Sequence, residues 1–296
     1  MIRLTAASVD LMFRRQPSPL PGYGLTLGFT ISYLSLVVLL PLGFLLLKTS
    51  GVGWSEFWRY VAAPRAVAAY RLTFLASFIA ASLNVAGGLL LAWILSRYEF
   101  PGRRLVDALV DVPFALPTAV GGLALASVYA PNGWIGRWVA PGSVVGTFFG
   151  PEGVKLAYSR TGVVIALVFV SFPFVVRTVQ PVIQMLDKGL EEAAATLGAG
   201  RLRTFVQVIL PTLLPSLLTG FALAFARCIG EFGSIQYMSS NLPYETQIAP
   251  QLIIEHLDAY EIEAALSIAI FLLMVSFVLL GVINLLEARA RRFQAA

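Results

Sequence analysis

The chain has 296 residues, of which 58% are hydrophobic and 12% charged, with a mean hydropathy of +0.80 and a formal net charge of +5. Soluble domains carry about 25% charged residues, so a water-soluble enzyme and an intrinsically disordered chain are both excluded, and lipid is the solvent for most of the surface. A single cysteine (Cys228) and a single histidine (His256) offer neither an internal disulfide nor a histidine-built metal site. No GxxxxGK[ST] loop is present, so no cofactor is expected, and any ATP-driven work must be powered by another chain.

A hydrocarbon core of about 30 Å takes about 20 apolar residues in helical form. Six stretches qualify, at 25–47, 72–96, 111–130, 161–182, 209–233 and 264–286. None has the strict alternation of a barrel strand, so the expected fold is an all-α membrane protein with six transmembrane helices. The first stretch follows Arg14 and Arg15, as a signal peptide would. It is too long for a signal h-region, however, and Lys48-Thr49-Ser50 stands where a cleavage site would be, so it is read as a retained helix. Pro41 in the first stretch, Pro113 and Pro117 in the third and Pro173 in the fourth predict kinks. Gly87-Gly88 and Gly121-Gly122 predict either hinges or close packing at small residues.

Six spans put both ends of the chain on one side. The tails and the even-numbered loops, with Arg177 near the end of the fourth stretch counted to the loop that follows, then hold 13 of the 21 basic residues, among them Arg97, Arg103, Arg104, Lys188, Arg201 and Arg203. The positive-inside rule makes that side cytoplasmic. The resulting division is a cytoplasmic tail at 1–24, a transmembrane domain at 25–286 and a second cytoplasmic tail at 287–296. The loop at 234–263 has no Lys or Arg but holds Glu245, Glu255, Asp258, Glu261 and Glu263, which suits the outer face and a contact with a partner protein. His256 in that loop is read as a surface residue rather than a proton switch.

The loop between the fourth and fifth spans, about 187–211, is the most informative. Residues 190–197 are good helix formers, Asp187, Glu191 and Glu192 sit at the favourable end of the helix dipole, and Gly198 ends the helix. An exposed helix of this kind is a shape that a partner can grip. Glu192-Ala193-Ala194, three residues, Gly198, nine residues and Val208-Ile209-Leu210-Pro211 resemble the EAA loop of ABC importer permeases, EAA-x3-G-x9-I-x-LP, with Val208 in place of Ile. Further blocks are similar to the sulfate/thiosulfate permease family, most of all its T-type subunit. They are Arg97-Tyr-Glu-Phe-Pro-Gly-Arg103, Asp111-Val-Pro-Phe-Ala-Leu-Pro117, Asn132-Gly-Trp-Ile-Gly136, Phe172-Pro-Phe-Val-Val-Arg177 and Ala226-Arg-Cys-Ile-Gly-Glu-Phe-Gly-Ser234.

That resemblance implies a type I (MetI-like) permease of the bacterial inner membrane. Its coupling helix would dock on an ATPase through Glu192, Ala193, Ala194 and Gly198. The implied partners are a second, W-type permease subunit, two copies of an ATP-binding subunit and a periplasmic sulfate/thiosulfate-binding protein; nucleic acid is not among them. Molybdate and tungstate permeases share the EAA loop, so these oxyanions are the alternative cargo, and an ion-coupled secondary transporter is the alternative from another class. The chain itself is expected to catalyse no reaction.

Arg227 and Glu231 lie at i and i+4 of the fifth span and share one face. Two readings are open: Arg227 handles a passing oxyanion, or the two charges neutralise each other structurally. Ser171, Thr178 and Ser234 supply hydroxyls for a dilute polar pathway, since a tight site would slow release. Cys228 is read as a small packing residue.

Overall fold

The computed structural model describes residues 22–140, 142–143, 145–149 and 153–294. The tail carrying Arg3, Arg14 and Arg15 lies outside them. The chain divides into two compact units, Met1–Gly51 and Val52–Ala296. The described part of the first is one helix, α1 (Tyr23–Ser50), whose apolar window has no buried residue.

In the second unit the elements follow as α2 (Trp54–Val61), α3 (Pro64–Arg97), α4 (Arg103–Val110), α5 (Val112–Ala115), α6 (Thr118–Tyr129) and α7 (Gly136–Val139). Next come α8 (Arg160–Met185), α9 (Lys188–Thr196), α10 (Arg201–Ile229), α11 (Ile235–Met238), α12 (Ala249–Asp258) and α13 (Ile262–Gln294). No strand occurs among the described residues.

Among the described residues five helices are long and apolar enough to cross a bilayer: α1, α3, α8, α10 and the Ile262–Leu285 part of α13. The third predicted stretch, 111–130, is not one continuous helix. Leu116, ahead of Pro117, is pushed to the extended region at φ −84°, ψ 136°, because the proline ring disfavours helical backbone in the residue before it. The stretch therefore divides into α5 and the 12-residue apolar α6. Pro173 breaks nothing, and α8 runs through both Pro173 and Pro181. Pro41 and Pro211 act differently again. Each follows a π-helical stretch, Ser35–Leu39 in α1 and Phe205–Ile209 in α10. A proline lacks the N–H that would bond the carbonyl four residues back, and its ring crowds that carbonyl, so the preceding turn widens.

The core is the crossing of α3, α8 and α10. Apart from Tyr70 and Leu95 near its ends, the buried face of α3 is built of small residues, Ala66, Ala69, Thr73, Ala76, Ser77, Ala80, Ala81, Asn84, Gly88 and Ala92. Such a face allows backbones to approach where lipid provides no hydrophobic drive between helices. Val175 of α8 marks the tightest point. A methyl on Gly88 of α3 would come within 2.9 Å of its Cγ1, and a methyl on Gly220 of α10 within 3.2 Å of its Cα. α13 closes one side, with the Phe271 ring tilted against that of Tyr70 at 4.8 Å between centroids.

Candidate functional site

The EAA loop folds as a capped helix. Asp187 accepts a hydrogen bond from the Gly189 N–H at 2.9 Å, satisfying one of the free donors at the start of α9. At the other end Gly198 adopts φ 77°, its N–H donates to the Ala195 carbonyl, and the Ala199 N–H donates to the Ala194 carbonyl, both at 3.0 Å. This pair of bonds is a Schellman cap, whose left-handed residue favours glycine. Glu192, Ala193 and Gly198 are exposed, whereas Ala194 turns inward and is buried. Ala194 is thus part of the loop's own packing. Leu197 and Leu202, 88% and 77% exposed, flank the glycine turn and form an apolar ridge that the sequence pattern left unmarked. Arg97, at the end of α3, holds the loop through an ion pair with Glu191 at 2.8 Å.

Arg177, expected in a loop, lies inside α8 one turn from Gln180. Its guanidinium takes Asp111 in bidentate fashion at 2.8 and 2.7 Å, reaches Asp107 Oδ1 at 2.7 Å and Gln180 Oε1 at 2.7 Å, and donates to the Asp107 carbonyl at 2.8 Å. Satisfying its donors on α4 and the turn into α5 is what lets a charge sit in this helix. The Arg177 hydrogen bonds hold the Asp107 carboxyl below its ordinary range.

The polar residues proposed for a pathway are not equivalent. Glu231 is buried, receives Arg227 Nη1 at 2.6 Å, and accepts the Ser234 N–H and hydroxyl at 2.9 Å each. Ser234 is itself fully buried, and its backbone lies so close to Gly122 of α6 that a methyl there would overlap it. Ser171 is fully buried too. Its hydroxyl donates to the Leu167 carbonyl at 2.7 Å and accepts from Asn84 at 2.8 Å, and the Cys228 thiol points at it from 3.2 Å. Thr178 spends its hydroxyl on the Phe174 carbonyl at 2.6 Å. Ser171 and Ser234 are thus buried and tied to neighbouring groups within the chain. Only Arg227, about a third exposed at 32%, combines accessibility with unspent donors. The pattern missed Asn84, whose single amide on a span of alanines was the available signal.

At the opposite end of the helices, Arg65 pairs with Glu255 at 2.5 Å and donates to Gln247 at 2.8 Å, and Gln247 donates to the same Glu255 oxygen at 2.6 Å. The Arg65 hydrogen bond draws the Glu255 carboxyl below its ordinary range. The loop before α12 is knotted by Ser239, Ser240 and Thr246 and displays Leu242 and Tyr244. His256 closes on Glu261 at 2.7 Å.

Residues 84–292 match the family model described as binding-protein-dependent transport system inner membrane component. The chain is 47% identical over 266 residues to the probable sulfate transport system permease protein cysT of Nephroselmis olivacea, covering 90% of each chain. It is 44% identical over 273 residues to the sulfate transport system permease protein CysT of Escherichia coli K12, covering 92% of this chain and 95% of that one. The chain belongs to this family of transport-system permeases, in its CysT branch. Its fold is that of an ABC importer permease. A bacterial ABC transporter that imports the acidic polysaccharide alginate superposes with a TM-score of 0.72 at 17% identity, covering 90% of this chain and 94% of that one. The chain is a multi-pass membrane protein, and within this family the exposed EAA helix and the Arg227–Glu231 pair are its two candidate sites.

Proposed function

We propose that the chain is one transmembrane subunit of an ATP-driven importer of sulfate or thiosulfate, working beside a second, W-type permease subunit. Two copies of an ATP-binding subunit supply the energy, and a periplasmic binding protein supplies the anion. The observation that carries the cargo is the 47% identity to sulfate permeases across nine-tenths of the chain. Residues 25–286 form the transmembrane domain with both tails in the cytoplasm, in keeping with the excess of arginine on that side. ATP hydrolysis belongs to the partner, and this chain makes and breaks no covalent bond.

The loop at 187–211 is the coupling element. Glu192, Ala193 and Gly198, with the ridge of Leu197 and Leu202, meet the ATPase; Ala194 holds the helix to its own subunit. The capped, ion-paired helix moves as a rigid lever, so closure of the ATPases rocks α8 and α10 and alternates access. Arg227, oriented by Glu231, is the anion's weak contact along the way, its free guanidinium donors suited to oxyanion geometry. The knotted loop before α12 meets the binding protein. Co-expression with the ATP-binding subunit tests the coupling claim. The two should co-purify, and Glu192→Arg combined with Gly198→Val should abolish the association while the permease still reaches the membrane; association that survives both changes contradicts it.

A further inference from the structure

Between α3 and the inner side of the coupling loop lies a cavity of about 780 Å³. Its wall along the spanning helices is apolar: Leu89, Leu90 and Trp93 from α3, Phe205 and Ile209 from α10. Its mouth, at the loop, is polar: Tyr98, Glu191 and Arg201. The charges there do not cancel. Glu191 is answered by Arg97 at 2.8 Å, while the exposed Arg201 guanidinium has no hydrogen bond or ion pair with any described residue. Arg97 Nε is buried beside this mouth, also without a hydrogen-bond partner among the described residues. A slot that is apolar at membrane depth, with surplus positive charge and an unmet donor where the helices leave the bilayer, has the polarity of a single phospholipid.

We infer that this slot binds an anionic phospholipid, one acyl chain lying along Leu90, Trp93 and Phe205 and the phosphate facing Arg201. A partner helix is the competing occupant, but an apolar segment would leave Arg201 unanswered, whereas a phosphodiester answers it. The face of α9 that carries Glu191 and Ala195 looks into the slot, and Glu192, one position on, points away from it. The lipid therefore wedges the coupling helix from behind without competing for the face offered to the ATPase.

The assembled importer, purified with limited delipidation, is assayed by native mass spectrometry for retained phosphatidylglycerol against phosphatidylcholine of matched chains. Wild type should retain phosphatidylglycerol preferentially. Arg201→Gln should lower that preference by about tenfold or more, the size expected for one charge-assisted contact. Arg203→Gln should leave it unchanged, since Arg203 is spent on Gln207 at 2.9 Å. Equal retention of the two lipids, or no change in Arg201→Gln, overturns the inference, as does density for a protein helix in the slot of the assembled importer. If Arg201→Gln does not assemble, the wild-type complex in nanodiscs decides. Brominated-acyl phosphatidylglycerol should quench tryptophan fluorescence beyond brominated phosphatidylcholine, and Trp93→Phe should remove the excess; no excess overturns it.

Discussion

At the scale of single residues, charge placement carries the account. Arg177 is expensive in a membrane helix and is retained because it donates five hydrogen bonds to Asp111, Asp107 and Gln180. Arg227 is received by one carboxylate oxygen and keeps donors free. That contrast is why Arg227, rather than Arg177, is the one proposed to meet the anion. Arg227→Gln, with assembly verified, should lower sulfate uptake about ten- to a hundredfold, while Arg227→Lys, which keeps the charge and loses the fork, should fall between. Wild-type uptake by both variants would return Arg227 to a purely structural role. The carboxylates give a second residue-scale expectation. Asp107 and Glu255 are held below their ordinary values of 3.8 and 4.5 by Arg177 and Arg65. A lowered folded pKa contributes stability that is complete above the unfolded value and is lost as pH falls through the folded one. The unfolding midpoint of the purified chain should thus be insensitive to these groups from neutrality down to about pH 5 and fall below about pH 4. Glu255→Gln should lower the neutral midpoint and flatten the acid limb; a curve parallel to wild type would contradict this.

At the scale of elements, glycine positions show which helix contacts are fixed. Gly122 of α6 lies against the backbone of Ser234, and that backbone is tied to Glu231, so neither side can yield. Gly87 of α3 faces only the ring edge of Phe172 at 3.7 Å, an ordinary contact. Gly122→Ala should therefore cost about 1–3 kcal/mol and deplete assembled protein, whereas Gly87→Ala should stay within about 0.5 kcal/mol. Thermal midpoints of the two variants check the order, and equal effects would contradict it. Helix identity was readable from hydropathy because spanning length leaves few alternatives. Proline effects were not: the same residue splits the helix at Pro117, widens it at Pro41 and Pro211, and passes unnoticed at Pro173. Leu116 leaves helical backbone ahead of Pro117 while the chain around Pro173 keeps it, a difference that hydropathy does not encode. Arg177 was assigned to a loop for a related reason: composition sees its charge but not the two aspartates from α4 and the following turn that bring it inside.

At the scale of the whole molecule, the two ends of the helices carry different chemistry. One end holds the capped EAA helix, its ion pair to Arg97 and the exposed Leu197 and Leu202; the other holds the Arg65–Glu255–Gln247 network and the knotted loop. The EAA spacing was legible because a fixed series of small, acidic and turn residues is improbable by accident. Of the proposed pathway residues, Arg227 and Glu231 were legible as a helical i,i+4 pair. The buried state of Ser171 and Ser234 was not, because a hydroxyl in a span reads the same whether it faces a cavity or a neighbouring carbonyl. The proposed machine would have its lever at the first end, its reception surface at the second and the partly exposed Arg227 within α10. Its central claim is tested most directly by anion uptake into proteoliposomes holding this chain, the second permease and the ATP-binding subunit. With the binding protein outside and ATP inside, the account predicts sulfate uptake that stops without either and is competed by thiosulfate far better than by molybdate. Uptake driven by an ion gradient without ATP, or molybdate as the preferred anion, would contradict it.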